Sequence, residues 1–332
     1  MKRNYYIFRS GRLKRKDYSL QFIPAENKKP KKHIPIEDID TIYLFGEMNI
    51  NTKLLVFLAQ KNICLHVFNY YGFYSGSYYP REFLLSGSTL VKQVQHYTNK
   101  KKRFELAKEF VNTAIDNILR NLKYYNSRKA NFETAIKKIE SEKNAIPQTT
   151  SIYELMAHEG RARMVYYDCF NDITIWNHTM GKRVRRPPNN MMNCLISWGN
   201  SLLYTSALSE IYRTTLNPTI SFLHEPGERR YSLSLDLSEV FKPLLVDKVI
   251  FRLINQKMIT KKDFDKNLNY CYLTKKGRKT YLKLYEDRLK TTIKHRKLGR
   301  SVSYRRLIRL EAYKLVKHIS EDKKYQGFRA WW

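Results

Sequence analysis

The sequence predicts an α+β fold in which a small N-terminal β domain precedes a larger C-terminal all-α domain. Up to about residue 80, short aromatic and β-branched runs alternate with turn residues such as Ser10-Gly11 and Gly46, a pattern typical of strands. From about residue 88 the apolar residues recur at helical spacing under a lysine-rich surface. The 332 residues, 42% of them hydrophobic, are enough for two domains. We therefore expect a β domain over residues 1–87 and a helical domain over residues 88–332.

The predicted β domain contains four strands, one hairpin and one helix. The strands are Tyr5–Phe8, Tyr18–Ile23, Asp40–Phe45 and Ile63–Phe68, and the hairpin is the tyrosine- and glycine-rich segment Tyr71–Tyr79. Asn51 is expected to cap the helix, whose apolar face holds Leu54, Leu55, Phe57 and Leu58. We expect this helix to interrupt an otherwise β-rich region.

The predicted helical domain begins with a long helix and contains several shorter ones. The segments with helical periodicity are Val91–Tyr125, residues 130–143, Ile152–Phe170, residues 190–214 and Leu244–Ile254. Ser151 and Glu154 have the spacing of a capping box at the start of the third helix. The last helix is apolar nearly all round, so we expect it to lie centrally.

The net charge points to a polyanionic partner. The chain has 62 Lys and Arg against 30 Asp and Glu, a formal charge of +32. Phosphates attract such a surface through counterion release, so nucleic acid is the first candidate and an anionic membrane surface the second. Residues 274–332 alone hold 19 Lys and Arg and 5 Asp and Glu, which either bind DNA or form a solvated helical face.

Other features argue against membranes and secretion. The longest apolar stretches, Leu54–Phe68 and Leu244–Ile254, are interrupted by polar residues and fall short of the roughly 20 apolar residues that a spanning helix needs. The N-terminus is basic but lacks the apolar segment of a secretory signal. Cys64, Cys169, Cys194 and Cys271 are widely spaced, as expected of free thiols in the cytoplasm rather than of a zinc site.

Glu159 is the first candidate for a catalytic acid. It falls on the apolar stripe formed by Ile152, Leu155, Met156, Ala162, Tyr166 and Phe170. A carboxylate on a buried face persists only if it is paired, protonated or bound to a metal. A salt bridge to Arg163, four residues later, is the simpler interpretation, and the sequence alone leaves both open.

The window 221–243 supplies the other candidates. His224 ends an apolar segment just before a turn, where a histidine is more often a structural residue than a ligand. Asp236 and Glu239 have the spacing of a capping box as well as of a metal site, and Pro243 favours a short turn. Asp247 is a further carboxylate within the apolar helix, either paired with an arginine or orienting a ligand.

Two acids and one histidine in a strongly basic chain are typical of metal-assisted phosphoryl chemistry. Carboxylate oxygens are preferred by Mg²⁺ and Mn²⁺, and one imidazole shifts the preference toward Mn²⁺. Such an ion would neutralise phosphate charge and help to deprotonate an attacking hydroxyl. The sequence therefore predicts a site for Mg²⁺ or Mn²⁺.

Four segments resemble a known family. They are Leu155–Arg163 with Tyr166-Tyr167, Arg186-Pro187-Pro188 with Leu195–Gly199, Leu223-His224 with Ser232–Pro243 and Val246-Asp247, and His33–Ile39. Together they are similar to the CRISPR-associated adaptation integrase, the larger universal subunit of the spacer-acquisition complex. The residues of these motifs most resemble those of subtype I-B members. The resemblance covers nearly the whole chain, and its Asp-Leu-x-Glu-x-Phe-(Arg/Lys)-Pro signature is specific.

The resemblance implies a metal-dependent DNA endonuclease and integrase. The family's metal ligands fall on Glu159, His224 and Glu239. The family has an N-terminal β domain and a C-terminal helical domain, and it works as homodimers bridged by a small companion subunit on a short duplex. Asn190 stands where many relatives carry Asp, and Lys242 where Arg is common, but neither departure touches the three ligands.

From this resemblance we expect transesterification, in which the 3′-hydroxyl of a DNA fragment attacks a phosphodiester at the edge of a CRISPR repeat. Asp236 and Asp247 would support the ligands from behind. Arg161, Arg163 and Lys242 are candidates for phosphate contacts, although each could instead pair with an acid. The alternatives are a DNA-binding scaffold without catalysis and a nuclease for branched or single-stranded DNA that does not integrate.

Overall fold

The structure, a computed structural model, describes residues 2–26, 29–81, 84–128, 130–176, 180–185, 187–228, 231–267, 270–296, 298–321 and 323–331. The chain divides into two compact units, Met1–Leu85 and Ser86–Trp332. The first is rich in strands and the second largely helical, which confirms the predicted α+β class. Arg186, part of the second resembling segment, lies outside the described residues.

The N-terminal unit is built from eight described strands and one helix. These are β1 (Arg3–Ile7), β2 (Gly11–Lys16), β3 (Ser19–Pro24), β4 (Lys32–Pro35), β5 (Ile39–Leu44), β6 (Met48–Asn49), α1 (Thr52–Gln60), β7 (Cys64–Phe68) and β8 (Tyr74–Tyr78). They form two four-stranded sheets with the orders β1-β5-β7-β8 and β4-β3-β2-β6. One hydrophobic core joins residues of both sheets to Leu54 and Leu58 of α1.

The strands confirm the predicted β character but add elements that the pattern did not indicate. Strand β2 was missed because five of its six residues are glycine or charged, although Leu13 is completely buried. The prediction that Tyr71–Tyr79 forms a hairpin by itself is wrong, because the segment supplies one strand, β8, which pairs with β7. The capping prediction for α1 is confirmed, since the Asn51 side chain accepts the N–H of Leu54 at 3.0 Å.

The C-terminal unit consists of helices with two short hairpins. The helices are α2 (Gly87–Thr98), α3 (Lys100–Asn126), α4 (Glu133–Ala145), α5 (Ile152–Asp168), α6 (Phe170–Ile173), α7 (Met191–Ile211), α8 (Ser232–Phe241), α9 (Lys248–Asn255), α10 (Lys275–Lys290) and α11 (Tyr304–Glu321). The hairpins are β9 (Phe264–Asn267) with β10 (Tyr270–Leu273), and β11 (Thr292–Lys294) with β12 (Ser301–Ser303). In the described residues, no helix is long and apolar enough to cross a membrane.

The first long helix is broken where the sequence predicted continuity. At Asn99 the backbone leaves the helical conformation, and the Asn99 side chain accepts the N–H of Lys102 at 3.0 Å. An asparagine at this position caps α3 and ends α2 in one step. Helix α3 then runs through the unit and packs against α5 and α8.

Helices α8 and α9 form one continuous rod, joined by a π-helical segment over Lys242–Asp247. Pro243 was predicted to end the helix, which is wrong. Proline lacks the N–H that an α-helix would use, and the wider π turn continues past it. The Pro243 carbonyl accepts a bond from Asn121 Nδ2 at 2.6 Å, and the Leu244 carbonyl one from Arg288 Nε at 3.1 Å. The segment is therefore held by side chains of α3 and α10.

Candidate metal centre

Helix α5 places Glu159 at the inner edge of the surface. Ser151 begins the helix by accepting the N–H of Glu154 at 3.2 Å. On the same face as Glu159, Ala162 is completely buried, whereas Met156, which the predicted stripe included, is 41% exposed. The Glu159 side chain is 19% exposed. The carboxylate is thus mostly withdrawn from water while remaining reachable from outside.

Asp236 organises the loop that carries His224. Its Oδ2 accepts the N–H groups of Phe222 at 2.7 Å and Leu223 at 3.0 Å. Its Oδ1 accepts the N–H of His224 at 3.0 Å and lies 2.8 Å from the Nδ1 atom of the same residue. The predicted capping role is wrong, because Asp236 lies inside α8 rather than at its start. The buried carboxylate instead satisfies three loop N–H groups.

This contact fixes the tautomer of the His224 ring. An ionised carboxylate can only accept a hydrogen bond, so Nδ1 must donate to it. In the neutral ring the lone pair is then on Nε2, for which the described residues offer no hydrogen-bond partner. A carboxylate behind the imidazole is the usual arrangement around a metal-binding histidine. His224 is therefore oriented as a ligand through Nε2.

Arg163 joins Glu159 to Glu239. Its Nε lies 2.5 Å from Glu159 Oε1, and its Nη2 lies 2.6 Å from Glu239 Oε2. Lys242 forms an ion pair with the other oxygen of Glu239. One guanidinium thus brings together carboxylates that are 80 residues apart in the sequence.

The charges of these side chains act on one another. Burial favours the neutral acid at Glu239, but the charges of Lys242, Arg163 and His224 outweigh it and lower the pKa of Glu239 to about 2. Burial alone would lower the pKa of His224, yet the hydrogen bond and charge of Asp236, with a contribution from Glu239, hold that pKa above its ordinary value. Glu159 in turn acts on Lys242. Glu239 is therefore linked to Glu159 through Arg163 and interacts with His224 through its charge.

Asp247 lies behind this cluster at the end of the π-helical segment. It is 1% exposed, and burial raises its pKa to about 7 against the opposing effects of Arg163, Tyr166 and Lys242. Its Oδ2 atom has no hydrogen-bond partner among the described residues. Asp247 is consequently partly protonated near neutral pH.

The donor set fits a divalent cation, although it is not arranged as a metal cage in this structure. Among the described residues, no group of three or more His, Cys, Asp or Glu side chains lies close enough together to hold an ion. Arg163 and Lys242 occupy carboxylate oxygens of Glu159 and Glu239. Two carboxylates and an imidazole with its Nε2 lone pair exposed are nevertheless the ligand types that Mg²⁺ and Mn²⁺ accept. A cation would compete with the two basic side chains for the same oxygens.

The three basic residues predicted to contact DNA all have acidic partners. Arg161 Nε donates to Glu142 at 2.9 Å, and its side chain is 48% exposed. Arg163 is buried between two glutamates, and Lys242 is bonded to Glu239. Pairing with an acid, the alternative that the sequence left open, is thus present at each position.

Sequence reasoning missed how Arg163 is used. The spacing of Glu159 and Arg163 indicates their pair on α5, but nothing local in the sequence reports the contact from Arg163 to Glu239. It also missed Glu142 of α4, which accepts from Arg161 and lies 2.6 Å from the Nδ1 atom of His158. The available signal was the group of His158, Glu159 and Arg161 on one helix. With two basic side chains and one acid, this group indicates a further acid from a neighbouring element.

Comparison with known proteins yields a family match over most of the chain. The family described as CRISPR associated protein Cas1 matches residues 5–287. A protein of Thermodesulfovibrio yellowstonii named CRISPR-associated endonuclease Cas1 is 52% identical over 331 residues, 99% of this chain and 100% of the relative. A protein of the same name from Fusobacterium nucleatum is 48% identical over 332 residues, covering 100% and 98% of the two chains.

Solved structures share the fold. A CAS1 protein from Thermotoga maritima superposes with a TM-score of 0.88 at 38% identity, covering 99% of this chain and 100% of that one. A casposase bound to integration product superposes with a TM-score of 0.87 at 20% identity, covering 99% and 93%. The second likeness concerns the fold alone.

Proposed function

We propose that this chain, which belongs to the CRISPR associated protein Cas1 family, is a metal-dependent DNA endonuclease and integrase of CRISPR adaptation. The observation that carries the proposal is that Arg163 links Glu159 to Glu239, while Asp236, on the same helix as Glu239, fixes the imidazole of His224. Relatives at 48% to 52% identity over at least 98% of their length are named endonucleases, which supports nuclease chemistry for this chain.

The charge of the site supports phosphate chemistry only when a cation is added. Three carboxylates, those of Glu159, Asp236 and Glu239, face the two positive charges of Arg163 and Lys242. When the His224 ring is neutral, as a metal ligand must be, these groups have an excess of one negative charge, which repels a phosphodiester. Glu159, Glu239 and His224 Nε2 would hold Mg²⁺ or Mn²⁺, which supplies Lewis-acid stabilisation of the phosphate and reverses the sign of the site.

The proposed reaction is strand transfer between two DNA ends. The oxygen of a fragment's 3′-hydroxyl forms a bond to a phosphorus atom at the edge of a CRISPR repeat, and the bond from that phosphorus to the repeat's own 3′-oxygen breaks. The attacking hydroxyl loses a proton, and the leaving oxygen gains one. Glu159, His224 and Glu239 would hold the cation that orients the phosphate, and Asp236 keeps the imidazole in the required tautomer.

Lys242 and Arg161 are the basic side chains best placed to contact a phosphate. Lys242 lies beside Glu239 and is partly accessible, so it can approach a phosphate oxygen once a metal neutralises that acid. Arg161 is exposed enough to contact the DNA backbone directly. Arg163 is buried and is better suited to holding Glu159 and Glu239 in place than to touching DNA.

The proposed partners follow from the family. A solved complex with the same fold contains Cas1 together with Cas2, and we extend to this chain a small companion subunit, duplex DNA and a homodimer. The N-terminal unit, proposed as residues 1–87, would provide the dimer contact, and residues 88–332 the catalytic and DNA-binding surface. The reaction would take place in the cytoplasm, where the DNA is.

The test is a joining assay with purified protein, a repeat-bearing plasmid, a short duplex with free 3′-hydroxyl ends, and Mg²⁺ or Mn²⁺. We expect Glu239→Gln and His224→Asn to lower the joining rate at least about 100-fold, because each removes a ligand that acts on the reacting phosphate. Glu140→Gln is the matched control, since Glu140 is paired on the surface with Lys123 of α3. Wild-type rates in either site variant would refute the assignment.

The same assay separates the two alternatives. A scaffold without catalysis would bind DNA but show no metal-dependent cleavage or joining. In that case the acids would be structural partners of Arg163 and Lys242 rather than metal ligands. A nuclease that does not integrate would cut DNA in the presence of metal but leave no product joined covalently at a repeat edge.

A further inference from the structure

A second group of basic side chains surrounds Tyr124 near the end of α3. The Arg128 guanidinium lies 4.0 Å from the centre of the Tyr124 ring, and Lys248 Nζ lies 5.6 Å from it. Arg252 lies four residues after Lys248, on the same face of α9, and Arg288 Nε donates to the carbonyl of Leu244, four residues before Lys248, at 3.1 Å. We call these four basic residues with Tyr124 the Tyr124 cluster. It combines residues of α3, α9 and α10.

The cluster has no acidic partner in the described part of the chain. Arg252 donates to Gln256, Arg288 donates to the Leu244 carbonyl and the Tyr304 hydroxyl, and Arg128 and Lys248 contact the Tyr124 ring. The contrast with its surroundings is sharp. The residue before Tyr124, Lys123, is paired with Glu140 at 2.6 Å.

Unpaired positive charges at this density are unfavourable for the protein alone. Burial, together with the charges of Arg288 and Arg120, lowers the pKa of Lys248 to about 8. Burial also lowers the pKa of Arg288, and the charge of Arg252 adds to that effect. A polyanion placed between these side chains would relieve the repulsion, whereas a neutral or cationic partner would not.

The aromatic ring helps to select the kind of polyanion. Tyr124 is 44% exposed, but Arg128 already lies over its ring. Stacking of an unpaired base on that face would require Arg128 to leave. The arrangement favours contacts from cations to a continuous phosphate backbone, as presented by a duplex.

We propose that the Tyr124 cluster binds the phosphate backbone of duplex DNA, as a contact surface distinct from the ligands around His224. The proposal rests on the proposed function in one respect, namely that DNA is the substrate. Arg128 and Lys248 lie against the Tyr124 ring, and Arg252 lies one turn after Lys248 on α9, so one stretch of backbone can meet these charges together.

The test measures duplex binding as a function of salt, with metal omitted so that joining does not interfere. The variant Lys248→Met/Arg252→Gln removes two charges while keeping the bulk of each side chain. Each phosphate contact contributes about 0.9 to the slope of log affinity against log salt, or about eightfold in affinity at 0.1 M salt. We therefore expect a slope smaller by about 1.8 and an affinity about 60-fold lower, with unchanged thermal unfolding.

The matched control is Lys123→Met/Lys137→Gln, which removes the same number of charges from α3 and the exposed face of α4. We expect it to leave the slope unchanged. Equal losses in both double variants would mean that only net charge matters and would overturn the proposal, as would wild-type binding by the cluster variant. A loss seen only with a single strand would overturn the assignment to duplex DNA.

Two further measurements keep the result interpretable. If the double variant unfolds, Arg252→Gln alone tests the same idea, because Arg252 is exposed and bonded only to Gln256, and its slope should fall by about 0.9. If wild-type protein joins no DNA but the slopes change as expected, the proposed function fails while the Tyr124 cluster stands.

Discussion

Replacing Asp236 by asparagine tests the site at its most constrained point. The Asp236 carboxylate is completely buried and accepts bonds from the N–H groups of Phe222, Leu223 and His224 as well as from the His224 ring. An amide has the same shape but only one accepting oxygen. If that oxygen keeps the bonds to Phe222 and Leu223, the NH₂ group faces His224.

Two consequences follow from this geometry. The His224 N–H then faces another donor, and leaving it unsatisfied in the interior costs about 1–3 kcal/mol. The remaining bonds lose their charge assistance, which roughly halves their strength. We expect a total loss of about 3 kcal/mol in the free energy of unfolding. The NH₂ group also donates to Nδ1, which moves the ring proton to Nε2 and removes the lone pair needed for a ligand.

The functional effect should exceed that of an ordinary supporting residue. Loss of an orienting partner typically lowers metal affinity about 10- to 100-fold, and reversal of a tautomer has a larger effect on rate. We expect Asp236→Asn to lower the joining rate at least about 100-fold at any Mn²⁺ concentration. The assays are joining kinetics across a metal titration, urea unfolding, and ¹⁵N spectra of the imidazole, which report the protonated nitrogen directly.

Asp263→Asn is the matched control. Asp263 is a buried carboxylate that accepts the N–H and hydroxyl of Thr260 at 2.9 and 3.1 Å, away from the proposed ligands. It should lose about 1 kcal/mol of stability as a capping residue and join DNA at the wild-type rate. The reasoning is refuted if Asp236→Asn joins DNA normally, or if its spectra still place the ring proton on Nδ1.

Further predictions concern stability. The pKa of Asp247 in the folded protein, about 7, lies above its ordinary value of 3.8, so its contribution to stability is present at acid pH and is lost between about pH 4 and 7. Asp247→Asn should therefore flatten the dependence of the unfolding free energy on pH in that window, as measured by urea titrations. An unaltered dependence would contradict the burial argument. A methyl group at Gly199 would meet Tyr281 Oη at 2.1 Å, so Gly199→Ala should destabilise by about 1–3 kcal/mol. At Gly160, where nothing lies within 4 Å, the same change within a helix should stabilise by about 0.5–1 kcal/mol; thermal unfolding of the pair checks both signs.

The sequence was sufficient for the fold class because the change of hydrophobic period is a local signal. It was insufficient where a strand depends on neighbours. Strand β2 reads as a charged segment and is placed in its sheet by pairing with β3 and by the single buried Leu13. The break at Asn99 was locally encoded by a good capping residue, but it was hidden by the strong helical pattern on both sides.

The contacts within the candidate site could not be predicted from the sequence, and its ligand residues stay a prediction. The helix face of Glu159 and the window around His224 and Glu239 are properties of spacing. The roles of Asp236 and Arg163 are not, because both act on residues distant in the sequence. Capping is the commonest use of an aspartate near a predicted helix start, so the local rule gave the wrong role for Asp236.

The π-helical segment explains why these distant groups are coupled. Its first residue, Lys242, pairs with Glu239 of the candidate metal centre, and Lys248, which follows its last residue, belongs to the Tyr124 cluster. Between them, its carbonyls are bonded to Asn121 and Arg288, and Arg288 itself belongs to that cluster. A π turn leaves carbonyls available that an α-helix would satisfy internally. The segment that a proline forces out of α-helical geometry thus connects the proposed catalytic residues to the proposed DNA contacts.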